Sequence, residues 1–286
     1  MPDFLNEAQL GLQEQANALG RRLAEIDSGS HYSQQLRTEI RNLSKEAGIF
    51  SLTQPLEYGG LGGTSMDLTI ARDALGKWNV GHLPGVFGPS PGLLGQASDE
   101  LKDTFLERYL AGEIRGGFGF TEPSDADRHT WARYDGEDLI VNGAKSYVTG
   151  GSDVDFINTL VELEEFGPAM ILIESNRAGV SVNRRFGSID GSHHASFIFT
   201  DVRVPKTHLI GEPGTGLSRA MQQVNSVRMA IAADCVGLSR FVCELIADHL
   251  KNSQRDHDKA QAIRIQFGHM RTQAFAARSS TYRTAR

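Results

Sequence analysis

The sequence has little cysteine, and what it has is poorly placed for cross-linking. Only two cysteines occur among 286 residues, Cys235 and Cys243, and they lie eight positions apart in a helical pattern. At a rise of about 1.5 Å per residue the two are about 12 Å apart, which is too far for a disulfide. They also lack the CxxC spacing of a metal site. We therefore expect two buried free thiols in a reducing cytoplasm.

Long apolar runs and sustained basic runs are also missing. No run reaches the roughly 18 apolar residues that a membrane span needs. The first residues, Met-Pro-Asp-Phe-Leu-Asn-Glu, include acids and lack the apolar core of a secretory signal. The net charge is −6, and the one dense basic stretch, 271–286, is expected to be a solvated helix face. These features predict a cytoplasmic protein with no membrane span and no nucleic-acid partner.

The sequence does contain two changes of pattern, from helical to strand-like and back to helical. Apolar residues recur at helical spacing in the first part of the chain, short Val-, Ile- and Phe-rich runs follow, and two long helical patterns close it. The predicted helices cover 4–26, 33–47, 64–77, 99–110, 217–251 and 258–286. We predict an α+β multidomain protein with an N-terminal helical domain (1–115), a middle β-barrel or sandwich domain (116–213) and an incomplete C-terminal helical domain (214–286).

The most informative stretch is Gly116–Gly151. Apolar runs at 117–121 and 138–142 predict two strands, and the Asn142-Gly143 pair predicts a hairpin turn into a third strand, 144–149. Pro123 should end the first strand, because proline has no N–H to continue the ladder.

This arrangement leaves two threonines at strand ends, each close to an aromatic residue. Thr121 follows Phe120, and Thr149 lies two residues after Tyr147. Hydroxyl and backbone donors beside aromatic faces suit a planar ring with polar edges. An ordinary β-meander with surface threonines is the alternative.

Several motifs resemble those of the acyl-CoA dehydrogenase family. Thr-Glu-Pro at 121–123 and Asn-Gly-Ala-Lys-Ser-Tyr-Val-Thr-Gly-Gly at 142–151 resemble the two linked motifs of its middle domain. The loop Pro-Leu-Glu-Tyr-Gly-Gly-Leu-Gly at 55–62 and the segment Phe-Thr-Asp-Val-Arg-Val-Pro at 199–205 are similar to two more. The resemblance implies a flavoprotein of fatty acid metabolism that binds FAD.

The resemblance also implies roles for individual residues. In the family, the positions equivalent to five residues of the middle domain line the flavin ring, and a glutamine lies near the FAD of a neighbouring subunit. The implied FAD contacts are Phe118, Phe120, Thr121, Tyr147, Thr149 and Gln261. Arg228 matches an arginine that helps to hold the acyl-CoA, and Asp127 lies in the loop that contacts CoA. Both are therefore predicted to bind substrate.

The chain departs from the family pattern at three places. The loop after Pro123 is shortened and charged, reading Ser-Asp-Ala-Asp-Arg-His. Arg-Ile-Gln-Phe-Gly at 264–268 resembles the family's Arg-x-x-Phe-Gly motif but is out of register, and Arg255 is a weak substitute for it. The catalytic base is unknown, because the position where some relatives carry a catalytic glutamate holds Val227.

The resemblance implies FAD-dependent α,β-dehydrogenation of an acyl-CoA thioester, with a partner chain or a missing C-terminal segment required for activity. Two alternatives stay open: a non-catalytic FAD-scaffolding subunit of a hetero-oligomeric dehydrogenase, or a same-fold flavin monooxygenase or oxidase that acts without CoA. We expect a homo- or hetero-oligomer and an electron acceptor as partners. No metal site is predicted, because His193 and His194 should point to opposite faces of a strand, and a turn with solvated histidines is expected there.

Overall fold

The structure is a computed structural model that describes residues 4–26, 33–188, 192–252 and 257–286. It contains two compact units: Met1–Gly88 with Ser226–Arg286, and Pro89–Asn225. We call these the helical unit and the β-unit. The predicted combination of helical and β-sheet parts is confirmed, whereas the three domain boundaries stay a prediction.

The helical unit is built from long helices with defined starts. Its helices are α1 (Glu7–Ala24), α2 (Gln34–Glu46), α3 (Ser65–Gly76), most of α6 (Gly216–Asn252) and α7 (His257–Ala285). Asn6 and Thr64 form capping boxes with Gln9 and Asp67, satisfying first-turn N–H groups. The apolar faces of α1, α2 and α3 share one core that includes Leu19, Ile40 and Leu75.

Two glycines allow α3 and α6 to approach closely. A Cβ on Gly237 would lie 2.7 Å from the Cα of Gly76 and 2.6 Å from the carbonyl oxygen of Asp73. Any larger residue would push the two helices apart.

The buried carboxylate of Asp73 connects three helices at this point. Arg240 of α6 and Arg278 of α7 donate to it at 2.9 and 2.8 Å, and the Tyr282 hydroxyl donates at 2.7 Å. Burial and the adjacent Asp73 charge both raise the pKa of Tyr282, so its hydroxyl keeps its proton and remains a donor. We call these four residues the Asp73 network.

The β-unit is one curled sheet of seven strands with short helices. The strands are β1 (Gly116–Gly119), β2 (Trp131–Asp135), β3 (Asp138–Thr149), β4 (Phe156–Leu163), β5 (Gly167–Glu174), β6 (Val180–Gly187) and β7 (His193–Pro205). They are ordered β1-β4-β2-β3-β7-β6, with β5 also paired to β4. The core on one side of this sheet includes Leu139, Ile157, Ile171 and Phe197.

The second core of the β-unit lies under its helices. These are α4 (Asp99–Leu101) and α5 (Glu107–Ala111), joined by a π-helical turn over Lys102–Leu106. Phe156 of β4 contacts the rings of Phe105 and Tyr109. The segment predicted as one helix over 99–110 is therefore helical throughout but changes its winding in the middle.

The predicted hairpin turn at Asn142-Gly143 is wrong. The stretch 138–149 is a single strand, and the β2–β3 hairpin turns instead at Gly136, which has a positive φ of 66°. Gly143 marks a register shift within β3, has a φ of 135°, and would place a Cβ 2.6 Å from the Cα of Thr130. Gly143 is required because the strand bulges there and another chain segment approaches closely. From the sequence alone, such a glycine cannot be told from the glycine of a hairpin turn.

Two smaller predictions are also wrong. Cys235 is exposed and Cys243 half-buried, although both are free thiols. His193 and His194 are half-buried residues at the start of β7, and His193 Nε2 lies 3.2 Å from a carboxylate oxygen of Asp153.

The described residues hold no group of three or more His, Cys, Asp or Glu side chains that could bind a metal ion. Across the same ranges, no helix has the length and apolar character that crossing a membrane demands.

Candidate functional site

Phe118, Phe120 and Thr121 lie at the end of β1. This strand pairs in parallel with β4, where Phe118 lies opposite Asn158. Because Phe118 and Phe120 are two positions apart they share a face, and their rings stack with centroids 5.7 Å apart. Both rings are half-buried, whereas Thr121 beyond them is exposed. The strand end therefore offers an exposed threonine beside an aromatic pair.

Tyr147 and Thr149 lie at the end of β3, where the strand bulges. The register of β3 against β7 shifts between Lys145 and Val148, and Tyr147 has a φ of 54°. A positive φ is uncommon for an aromatic residue and marks a conformation that the surrounding structure imposes. The shift buries Val148 completely and leaves Tyr147 65% exposed, with Thr149 also exposed.

The Tyr147 ring has an aromatic neighbour on the sheet. Its centroid lies 5.1 Å from that of Phe186, and Phe186 stacks on His194 at 6.0 Å with nearly parallel planes. This edge-to-face contact favours one orientation of the Tyr147 ring, although the ring is open to solvent.

The structure brings these two strand ends together. The Ser146 N–H donates to the Thr121 carbonyl at 2.7 Å. Nearer the start of β1, a Cβ on Gly117 would lie only 2.8 Å from Val148. Five of the predicted FAD contacts therefore share one region of the β-unit, and glycines in β1 permit the close packing that brings them together.

A buried ion pair lies directly behind this region. Lys145 Nζ is 2.7 Å from Glu122 Oε1, and the Lys145 side chain is 1% exposed. The same ammonium group also donates to the Phe120 carbonyl at 3.4 Å. Glu122 accepts two further contacts, from the Thr130 N–H at 2.8 Å and from His129 Nδ1 at 2.5 Å.

The ionised form of Glu122 is strongly favoured. Burial would raise the pKa of this carboxyl, but the hydrogen bonds from Lys145, His129 and the Thr130 N–H outweigh it and lower the pKa to about 2. Burial lowers the pKa of Lys145, and the hydrogen bond and charge of Glu122 oppose that shift. The pair is therefore a lysine and a carboxylate that each keep the other charged. Lys145 lies within the Asn-Gly-x-Lys motif but is not among the site residues predicted from the sequence.

The loop that carries Asp127 is exposed and closed at its base. Glu122 contacts His129 and Thr130, so its side chain joins the two ends of the loop. Asp127 is exposed on the loop. Arg128 Nη2 lies 3.4 Å from a carboxylate oxygen of Glu164. The local negative charge of the loop is therefore only partly balanced by Arg128, which already has an acidic neighbour.

Arg228 and Gln261 belong to the helical unit. Both are exposed, Arg228 on α6 and Gln261 on α7. Val227, beside Arg228, is 44% exposed. Arg255 lies outside the described residues. The segment 264–268 forms part of α7. The substrate role of Arg228 and the FAD role of Gln261 stay predictions.

Comparison with known proteins identifies relatives along the chain. Residues 10–113 match the family model described as the acyl-CoA dehydrogenase N-terminal domain, and residues 214–286 match the model of the C-terminal domain. An acryloyl-CoA reductase (NADH) from Anaerotignum propionicum is 30% identical over 281 residues, which cover 90% of this chain and 67% of the relative.

Solved structures show the same fold. A probable acyl-CoA dehydrogenase from Mycobacterium abscessus superposes with a TM-score of 0.83 at 26% identity, over 96% of this chain and 78% of the other. An acyl-CoA dehydrogenase from Bacillus anthracis, solved with FAD, gives 0.82 at 23% identity, over 100% of this chain and 52% of the other. The family indicated by the Thr-Glu-Pro and Asn-Gly-x-Lys motifs is confirmed: this chain belongs to the acyl-CoA dehydrogenase family.

Proposed function

We propose that the chain is an FAD-dependent, acyl-CoA dehydrogenase-like oxidoreductase that binds the flavin ring at the ends of β1 and β3. The observation that carries this proposal is the pair of exposed threonines, Thr121 and Thr149, which lie in one region with Phe120 and Tyr147. Hydroxyl donors and aromatic faces in this arrangement fit a flat ring with polar edges. Family membership supports the flavin of FAD as this ring.

In this proposal the protein orients the reactants and the cofactor supplies the redox chemistry. FAD, when bound, would supply the hydride acceptor that α,β-dehydrogenation of an acyl-CoA thioester requires. Thr121 and Thr149 would donate hydrogen bonds to the ring edge, where negative charge develops on reduction. Arg228 and Asp127 are the proposed substrate contacts, and Gln261 is the proposed contact with the FAD of a neighbouring subunit.

The α-proton needs a carboxylate base, and the flavin loop offers a poor one. Val227 cannot accept a proton, and Glu122 is held by Lys145, His129 and Thr130 with a pKa of about 2. We therefore propose that dehydrogenation depends on a carboxylate supplied by a partner chain or by a further segment of the protein. Val227→Glu tests this directly, since it should give or increase acyl-CoA-dependent bleaching of the flavin.

Flavin placement is tested by substituting both threonines. The Thr121→Val/Thr149→Val variant keeps the shape of each side chain and removes both hydroxyls. We expect weaker FAD retention or a shifted flavin reduction potential, measured by absorption and by titration with a reference dye. Thr200→Val is the matched control, because Thr200 is an exposed threonine elsewhere in the same sheet. Unchanged retention and potential in the double variant would contradict the placement.

A second candidate is a non-catalytic FAD-scaffolding subunit of a hetero-oligomeric dehydrogenase. Val227, at the position of a catalytic glutamate in some relatives, is the observation that favours it. An absorption spectrum of the purified protein, followed by anaerobic addition of acyl-CoAs, separates the two functions. Bleaching of a yellow protein by one acyl-CoA supports the first. A colourless protein that gains flavin only with a partner chain supports the second.

We also propose that the chain assembles with a second copy of itself through α6. Val227, Ile231, Leu238, Val242 and Leu245 are between 38% and 59% exposed. Their spacing places them on one side of the helix, as in an amphipathic interface. A contiguous exposed apolar stripe of this kind typically marks a protein contact.

A further inference from the structure

We propose that Lys145 and Glu122 are positioning residues that fix Thr121 at the flavin ring. The inference rests on the function proposed above but concerns two residues that do not contact the ring. Its starting observation is a lysine with only 1% of its side chain exposed, in contact with a carboxylate at 2.7 Å. A buried charge is costly unless it is paired and hydrogen-bonded, and apolar residues could fill the same space at little or no loss of stability. Stability alone is therefore a weak reason for an ion pair here.

The contacts of the pair bracket Thr121 in the chain. Lys145 Nζ contacts the carbonyl of Phe120, one residue before Thr121, and the carboxylate of Glu122, one residue after it. The next residue of β3, Ser146, donates its N–H to the carbonyl of Thr121 itself at 2.7 Å. Residues 145 and 146 therefore hold three consecutive residues of the other segment, and the backbone of Thr121 cannot shift without breaking one of these contacts.

The same lysine borders the second strand end. Lys145 is the last paired residue before the register shift that turns Tyr147 outward, and Val148 is the first paired residue after it. Anchoring Lys145 therefore fixes the start of the bulge from which Tyr147 and Thr149 project. One buried side chain sets the position of both strand ends relative to each other.

Glu122 completes the anchor on its far side. Its two oxygens also accept the Thr130 N–H and contact His129, which joins the carboxylate to the segment that begins β2. Three parts of the sheet thus meet at one carboxylate: the end of β1, the start of β2 and the middle of β3. This assigns Glu122 to positioning and removes it from the candidates for the base.

The test separates positioning from a purely structural role by three substitutions. Lys145→Met removes the ammonium group, Glu122→Gln keeps the shape of the acid, and Lys145→Met/Glu122→Leu replaces the pair by apolar side chains. Arg203→Met is the matched control, because Arg203 bridges Asp135 and Asp138 beside the β2–β3 turn of the same sheet. Each protein is examined by circular dichroism, thermal unfolding, FAD titration and flavin absorption.

We expect Lys145→Met to weaken FAD binding about tenfold, the effect of losing one well-placed hydrogen bond, and to shift the flavin absorption band. Glu122→Gln should show a smaller change in the same direction, and Arg203→Met should bind as the wild type does. The apolar double variant should recover thermal stability without recovering FAD affinity. If it recovers both, or if folded Lys145→Met binds FAD with unchanged affinity and spectrum, the positioning role is refuted.

Hydrogen exchange in the protein without FAD keeps this inference distinct from the proposed function. The Ser146 N–H that bonds to Thr121 should exchange at least about tenfold faster in Lys145→Met than in the wild type, as the loss of one hydrogen bond predicts. A wild-type protein that binds no FAD would overturn the proposed function, and the exchange rate would still decide whether the pair fixes Thr121. Equal Ser146 exchange in the two proteins refutes the inference.

Discussion

Removing the charge of Asp73 should strongly destabilise the helical unit. The Asp73 side chain is 0% exposed and binds Arg240 and Arg278, and Tyr282, itself 1% exposed, donates to it. Asp73→Asn keeps the size of the side chain but leaves two guanidinium groups without their carboxylate. Breaking a buried ion pair by removing one partner costs about 3–5 kcal/mol. The hydrogen bond from Tyr282 to the amide would also be weaker, but this effect does not simply add to the loss of the ion pairs, because Tyr282 and the two arginines bind the same carboxylate. We therefore expect a total loss of about 3–5 kcal/mol.

The two tryptophans allow each unit to be followed separately. Trp78 lies in the helical unit and Trp131 in the β-unit. In a Trp131→Phe background, Trp78 fluorescence during urea unfolding at pH 7 reports the helical unit alone, which avoids treating two units as one transition. The measured quantity is the free energy of unfolding from linear extrapolation.

An exposed ion pair of the same unit is the control. Asp248 lies 3.0 Å from Lys251, and the side chains are 68% and 74% exposed. Asp248→Asn should change the free energy of unfolding by less than about 0.5 kcal/mol. A loss below about 1 kcal/mol for Asp73→Asn would refute the reasoning, because it would mean that water or rearranged side chains satisfy the two arginines.

Three further predictions concern pH and assembly. The pKa of Glu122 falls from 4.5 to about 2 on folding, so the β-unit should lose stability as the pH drops from about 4.5 to 2. Glu122→Gln should make this loss of stability smaller. The free energy of unfolding of the β-unit is measured by Trp131 fluorescence in a Trp78→Phe background. Burial raises the pKa of Asp234 from 3.8 to about 6 against the effect of Arg72. The folded state therefore binds the extra proton, and this acid should reduce the stability of the helical unit as pH rises from about 4 to 6; if Asp234→Asn has the same pH slope as the wild type, the assignment to Asp234 is wrong. Ile231→Glu on the exposed face of α6 should lower the molecular mass measured by light scattering, with exposed Arg264→Glu on α7 as the control, and equal masses would exclude this face as the interface.

Local signals predicted the helices well because their causes are local. Thr64 and Asp67 form a capping box three residues apart, and the apolar spacing that follows needs no distant partner to be recognised. The long helices α6 and α7 were likewise predicted within a residue or two at their described ends.

The errors in the β-unit have non-local causes. Asn142-Gly143 resembles a hairpin turn, but Gly143 is required by the close approach of Thr130, which lies 13 residues earlier in the sequence. Strand β4 was not predicted at all, because its sequence, Phe-Ile-Asn-Thr-Leu-Val-Glu-Leu, does not alternate between apolar and polar residues, although its burial does alternate from Ile157 to Leu163.

Only part of the candidate site was predicted, because the rest of it also depends on non-local contacts. The motifs located the five residues at the ends of β1 and β3, and the structure brings them together. Lys145 was overlooked because a lysine is ordinarily exposed, and only the fold reveals that Glu122, 23 residues away in the sequence, buries it. The positive φ of Tyr147 is equally invisible in the sequence, since it arises from a bulge against β7.

The composition of the helical unit from two distant parts of the chain has a consequence for synthesis. Asp73 is 167 residues from Arg240 and 209 from Tyr282. At a ribosomal rate of about 5–20 residues per second, the α3 acid waits roughly ten to forty seconds for its partners. During that time the side of α3 that packs against Gly237 of α6 and Tyr282 of α7 is open to chaperones or to other nascent chains. Early folding of Pro89–Asn225 would shorten the loop that must close and lower its entropic cost. The yield of correctly folded protein should therefore depend on how fast the inserted β-unit folds, even though the residues at risk lie outside it.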